Sequence, residues 1–187
     1  MNCTRRQRAC RAYAVRMSML PLLPGNPVYA EGFAASTVSA GPALAWSGSM
    51  SEDLSSPDPR NWMRPGRTKL DELCAGAKEA LQQAGAKILL VPHARHILSD
   101  APSAIAWHRD HMAMGVFGLA VAPALLLDPD HAPTGGPLED LMFRIHELLA
   151  PVVDRWIEPP AGVAVPAVDS ELVAGLQSRF PAGQPTM

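Results

Sequence analysis

The strongest constraint on the fold is an unbroken apolar pattern between residues 138 and 157. Apolar side chains recur there at the i, i+3, i+4, i+7 spacing that places them on one face of a helix. Charged side chains occupy the opposite face. Pro151 lies inside the pattern, where it removes one backbone hydrogen bond and clashes with the preceding turn. We therefore predict a long helix over residues 138–157 that is kinked at Pro151.

Other segments also carry helical signals. Residues 69–84 keep their apolar side chains on one face, Thr68 can cap the helix, and Gly85 can end it. A short helix over residues 93–100 and another from Pro102 to about residue 119 follow along the chain. Residues 86–91, between the first two of these helices, form a β-prone run. It is open to interpretation as a strand, a buried linker or a helix start.

Residues 112–127 carry no charged side chain. This run is shorter than the roughly 18 to 20 residues that a membrane-spanning helix needs. We predict that it forms a buried central helix and that a membrane span is the weaker alternative.

The composition agrees with a helical protein. Aromatic residues make up only 5% of the chain, whereas it contains 9 Met and 19 Pro. Strand-rich folds draw on aromatic and β-branched residues. We predict a mainly α fold: a bundle of three to four helices in residues 61–158, with at most one short strand at 86–91. Residues 159–187 are expected to be a Pro-rich tail with one short helix over 169–179.

The first 60 residues differ from the rest. Five Arg and no acidic residue occur in residues 1–30, and a Gly/Ser/Ala/Pro-rich stretch follows. Such a segment buries too little apolar surface to offset the cost of ordering it. We predict a disordered leader outside the core, with the functional chain starting at Met1 or near Met50. The expected location is cytoplasmic, and a weak N-terminal export signal or an Arg-rich organelle-type presequence are the alternatives.

Charge and cysteine content exclude two classes of protein. The net charge is −2, and the expected core lacks the clustered Lys and Arg that bind phosphate, so a nucleic-acid partner is not expected. Cys3, Cys10 and Cys74 are too few for a disulfide framework or a cysteine-based zinc site. Cys74 lies on the apolar face of a predicted helix and is expected to be a small buried side chain.

The histidines are the clearest pointer to chemistry. His93 and His96 repeat the spacing of His108 and His111, and residues three apart share one face of a helix. Asp100 would lie on the same face as the first pair. Imidazole and carboxylate together suit a transition metal such as Zn or Fe. The chain is therefore predicted to bind a metal through these five side chains, with metal-assisted hydrolysis or redox chemistry if it is an enzyme.

Two alternatives stay open at this point. The histidines can be ordinary surface or capping residues, since Arg95 and Arg109 stand beside them and disfavour a cation. The chain can also be a non-enzymatic accessory protein that forms a homodimer or binds a protein partner. Phe143, His146 and Ala150 form a second stripe on the predicted 138–157 helix and are the expected contact surface. The sequence leaves open whether the protein is an enzyme.

Overall fold

The computed structural model describes residues 20–30, 32–33 and 40–183. In this part of the chain, four parallel strands form one sheet, and their spatial order follows their order in the sequence. The strands are β1 (Gly41–Trp46), β2 (Ala86–Val91), β3 (Phe117–Val121) and β4 (Arg155–Trp156). The α-helices are α1 (Arg64–Ala84), α2 (Ala101–His111), α3 (Gly136–Leu149) and α4 (Ser170–Arg179). Short 3-10 helices span Pro59–Trp62, Met112–Met114 and Pro123–Leu126.

The prediction of a mainly α helical bundle is therefore wrong. The chain has an α/β fold, Rossmann-like in its alternation of parallel strands and helices. Strands of a parallel sheet are buried on both faces and read as continuous apolar runs. Periodicity cannot separate such a run from a buried helix, and the composition argument misjudged a sheet built from Ala, Leu and Val.

The uncharged run at residues 112–127 shows this error directly. It contains β3, with one 3-10 helix on each side, instead of a central helix. Gly115 has a φ of 73°, a left-handed conformation that ends the first turn and turns the chain into the strand. Among the described residues, no helix is long and apolar enough to cross a membrane.

β1 lies inside the segment expected to be a disordered leader. It pairs in parallel register with β2, and Ala43 and Ala45 are each only 3% exposed. Phe33, further upstream, is also buried. The fold prediction is thus wrong in leaving this segment out of the core. The Arg-rich start, including Cys3 and Cys10, lies outside the described residues.

Two helices, α1 and α2, lie close to the predicted positions, with corrected ends. α1 starts at Arg64, four residues before the proposed Thr68 cap, and ends as predicted at Gly85 in the left-handed conformation, with φ 61°. α2 is capped by Asp100, which accepts a hydrogen bond from the Ser103 amide. The helix predicted over 93–100 is wrong, because these residues form turns that lead to that cap.

The long helix predicted over 138–157 is also shorter. α3 ends at Leu149, because Pro151 stops it where a kink was predicted, and the last residues of the pattern enter β4. α4 begins after Asp169, whose side chain accepts from the Glu171 amide, so the predicted 169–179 helix is confirmed. It packs on the core through the buried Leu176.

The sheet separates two apolar clusters. All four α-helices contribute to the cluster on one face, where Leu90 and Leu119 of the strands meet Trp107 and Met142 of the helices. The other face, including Leu89, is covered by irregular segments around residues 20–22 and 157–165. Side chains alternate between the faces along each strand. This arrangement leaves the carboxyl ends of the strands bordered by loops.

Candidate functional site

The carboxyl ends of parallel strands meet at one edge of a sheet, where open α/β folds bind their ligands. Here a pocket of about 400 Å³ lies at that edge. We call it the histidine pocket. Its lining residues come from the ends of β1 and β2 and from later loops: Trp46, Asp53, Leu54, Ser55, His93, Arg95, His96, Pro129, Gly162, Val163 and Ala164.

His93 and His96 enter the pocket from a tight turn that follows β2. The His96 amide donates to the His93 carbonyl over 2.8 Å, and the Ile97 amide donates to the Gly48 carbonyl over 2.9 Å. The two imidazole rings lie with centroids 4.7 Å apart. Trp46 meets both rings edge to face, at 6.0 Å from His93 and 5.2 Å from His96. The turn thus holds the two rings as a fixed pair.

Two buried asparagines fix the loop after β1 beside this turn. The Asn26 amide donates to the Ser49 carbonyl over 2.8 Å. The Asn61 amide donates to Ser49 Oγ over 2.9 Å and to the Arg95 carbonyl over 2.8 Å, while its oxygen accepts from the Met50 amide. Asn61 therefore ties the β1 loop directly to the histidine turn.

The hydrogen bonds determine the tautomer of His96. Its Nε2 lies 3.2 Å from the Leu54 carbonyl, which can only accept, so the ring proton is on Nε2. Nδ1 is then an acceptor, and among the described residues it has no hydrogen-bond partner. The residue is only 2% exposed. Burial, with a smaller contribution from His93, lowers the pKa of His96 to about 3, so the ring is neutral at neutral pH.

His93 has the same tautomer, but here it is Nδ1 that is engaged by the backbone. Its Nδ1 accepts a hydrogen bond from the Arg95 amide over 3.1 Å, which places the proton on Nε2. Burial, and then the charge of Arg95, lower the pKa of His93. The two rings therefore offer one donor, His93 Nε2–H, and one bare acceptor, His96 Nδ1.

Arg95 and Asp53 are the charged side chains among the described residues that line the histidine pocket. The Arg95 guanidinium contacts Asp128 at 2.9 Å and Asp130 at 2.6 Å, and it donates to the Ser55 carbonyl at 2.9 Å. Asp53 adds a third carboxylate, and hydrogen bonds from Ser55 lower its pKa. Arg95 is thus already paired with two carboxylates, and Asp53 adds a negative charge to the lining, so the pocket disfavours an anionic ligand.

The other predicted metal ligands lie elsewhere. His108 is near Lys87 and Asp154, at the amino ends of β2 and β4, whereas His93 and His96 lie at the carboxyl edge. His111 is stacked on the Trp107 ring with centroids 4.9 Å apart. Asp100 is used as the cap of α2.

The prediction of metal binding is therefore wrong. Within residues 20–30, 32–33 and 40–183, no group of three or more His, Cys, Asp or Glu side chains could hold a metal ion. The physical reason is that the two histidine pairs belong to different structures. The first pair lies in a turn after a strand, and the second lies in the last turn of α2.

The predicted partner surface is occupied within the chain. His146 and Ala150 are almost completely buried, at 0% and 1% exposed. Phe143 packs against Phe180 with ring centroids 5.2 Å apart, and Arg179 lies over its ring. A partner at this place would have to displace the end of α4, and the prediction of a homodimer or protein partner stays untested.

Cys74 is fully buried in α1, which confirms its expected structural role. Burial raises the pKa of its thiol to about 12, so almost no thiolate forms at neutral pH. We therefore exclude Cys74 from the candidate site.

Sequence reasoning identified both histidines but missed the rest of the pocket. Trp46, Asp53 and Val163 carry no motif, and they come together only because the strand ends and loops of the sheet meet there. The available signal was the single β-prone run at residues 86–91, which ends just before His93. Comparison of the chain with family models, curated proteins and solved structures finds no match.

Proposed function

We propose that the protein binds a small uncharged molecule with a hydroxyl or carbonyl group in the histidine pocket. The observation that carries the proposal is the His96 ring, which lines the pocket and whose buried Nδ1 has no hydrogen-bond partner among the described residues. A buried polar atom without a partner costs about 1 to 3 kcal/mol. A ligand hydroxyl that donates to this nitrogen removes that cost.

The second imidazole sets the orientation of the ligand. His93 Nε2–H has no acceptor among the described residues, and Nδ1 of the same ring accepts from the Arg95 amide. A hydroxyl oxygen is both donor and acceptor, and it can therefore engage both rings at once. Trp46 and Val163 supply apolar walls for the carbon skeleton. A few placed polar groups in an apolar cleft are typical of small-molecule sites.

The electrostatics of the pocket select against anions. Both histidines are neutral, and the guanidinium of Arg95 is already paired with Asp128 and Asp130. A carboxylate or phosphate ligand would meet Asp53 and would find no unpaired cation among the described residues that line the pocket. An uncharged ligand avoids this repulsion.

The depressed pKa of His96 favours binding over proton transfer. A general base works best when its pKa is near the working pH. A ring with a pKa of about 3 accepts a hydrogen bond but takes up a proton poorly. We therefore assign His96 the role of recognising a hydroxyl group, and His93 the role of orienting it.

The test is a nuclear magnetic resonance titration of the full chain with named probes. Glycerol, 1,2-propanediol and dihydroxyacetone are the uncharged probes, and acetate and inorganic phosphate are the anions. We expect saturable shifts of the imidazole nitrogens of His93 and His96 with the uncharged probes alone. His96→Phe should abolish these shifts, whereas His108→Phe, the same change at the opposite edge of the sheet, should keep them. Binding of the anions in the pocket, or equal behaviour of the two variants, would refute the proposal.

A further inference from the structure

A second cavity lies beside the histidine pocket. It has a volume of about 520 Å³ and lies between the 157–168 connection and α4. Its lining is mostly apolar, with Met142 and Ala122 among the contributing core residues and Val173 and Ala174 contributed by α4. Glu158, Ser170 and Gln177 are its polar members. We call it the apolar cavity.

The two cavities share a wall. Gly162 and Val163 line both of them. These residues lie in a turn in which the Val163 amide donates to the Pro160 carbonyl over 3.3 Å, and Gly162 has a φ of 83°. Val163 is partly buried against the sheet face opposite the helices. A molecule held at the histidines therefore lies next to the apolar cavity, separated from it by one turn.

The apolar cavity supplies apolar surface that can bury the alkyl part of a ligand. The histidine pocket offers a donor and an acceptor in a space of about 400 Å³, and the neighbouring space is lined mostly by apolar side chains, with Glu158, Ser170 and Gln177 as its polar members. Burial of alkyl groups there is favourable at roughly 0.8 kcal/mol per methylene, which corresponds to about fourfold in affinity. Met142 is fully buried, and a flexible thioether side chain adapts to ligand shape.

We infer that the ligand is an uncharged aliphatic alcohol or a related amphiphile, with its hydroxyl at His93 and His96 and its alkyl chain crossing the Gly162–Val163 turn into the apolar cavity. This inference rests on the proposed function and specifies its ligand class. The shared Gly162–Val163 wall predicts that chain length and hydroxyl recognition are coupled in one binding event.

The experiment is a titration of the full chain with the straight-chain primary alcohols from propanol to octanol, followed by amide and imidazole resonances. We expect the dissociation constant to fall about fourfold per added methylene until the cavity is filled. Resonances of His93, His96 and α4 should shift with one common dissociation constant. Pentyl methyl ether, which lacks the hydroxyl donor, should bind less tightly than hexanol, which has the same number of heavy atoms.

Two variants on the exposed side of α4 test whether the alkyl chain of the ligand binds in the apolar cavity. Ala174→Phe places a ring at the mouth of the cavity and should weaken octanol binding at least tenfold while leaving propanol binding unchanged. Ser178→Phe, one turn further and outside the cavity, is the matched control and should leave both unchanged. Equal unfolding midpoints of the variants and the unaltered chain verify that α4 is intact.

The outcomes separate this inference from the proposed function. If all alcohols shift the histidines with one dissociation constant, the alkyl-chain inference is overturned and the proposed function stands. If octanol shifts only α4, or if light scattering shows a dimer that Ala174→Phe dissociates, a different occupant fills the cavity and the inference is overturned. If no alcohol or other uncharged probe reaches the histidines, the proposed function itself fails.

Discussion

Lowering the pH from about 7 to about 5 is the sharpest test of the site, because it acts on the buried neutral state of His96. The folded chain has a His96 pKa of about 3, against an ordinary value of 6.5. Below pH 6.5 the unfolded chain takes up a proton at this ring and the folded chain does not. Stability is therefore full above about pH 6.5 and is lost as the pH falls towards 3.

The magnitude follows from the width of that window. Each pH unit between the two pKa values corresponds to about 1.4 kcal/mol, so at pH 5 the contribution of His96 is a loss of roughly 2 kcal/mol. Burial also lowers the pKa of His93 and His146, which adds loss in the same direction. Asp128 has a pKa of about 2, so its own acid-dependent loss lies below this range.

Urea unfolding of the full chain and of His96→Gln at both pH values isolates the contribution of this ring. Both chains keep the other five histidines. The difference between their losses of unfolding free energy from pH 7 to pH 5 is therefore due to His96. We expect the unaltered chain to lose about 2 kcal/mol more than the variant between pH 7 and pH 5. Between about pH 7 and 8 the two should change in parallel. Equal losses in the acidic range would refute a buried neutral His96 and weaken the binding proposal with it.

Three further predictions concern the scaffold. A chain shortened to start at Met50 lacks β1, and its thermal midpoint should fall by at least about 6 °C, equivalent to roughly 3 kcal/mol; an unchanged midpoint would contradict the sheet. Gly66→Ala places a Cβ 2.6 Å from the Arg60 carbonyl oxygen and should destabilise the fold by about 1 to 3 kcal/mol in urea titrations. Gly76→Ala, in the same helix, meets nothing within 4 Å and should stabilise the fold by up to about 1 kcal/mol. Asn61→Ala removes three hydrogen bonds, and we expect the free energy of unfolding to fall by about 2 to 4 kcal/mol and the His93 and His96 resonances to shift. Unshifted resonances would show that the β1 loop does not position the histidines.

The amphipathic helices could be predicted from the sequence because their signals are local. The Gly85 end of α1 and the Asp169 start of α4 are set by single residues with known conformational preferences. β2 was recognisable as a β-prone run with the bounds it has in the structure. β1 and β3 were not, because neither shows the alternation of a half-buried strand. Only their pairing on the two sides of β2 makes them strands of one sheet.

The histidine pair shows that residue spacing can predict proximity even where the predicted secondary structure is wrong. A separation of three residues brings two side chains together in a turn as well as in a helix, so His93 and His96 are neighbours although the helix predicted for them is wrong. The same spacing in α2 gives His111 a place in the core against Trp107 and leaves His108 near the amino edge of the sheet. The two pairs look alike in sequence, but they lie at opposite edges. Among the described residues the pair lacks the third ligand of a metal site, and its burial keeps both rings neutral. The chemistry that remains is one donor and one acceptor beside apolar walls, which is why the site points to an uncharged hydroxyl ligand.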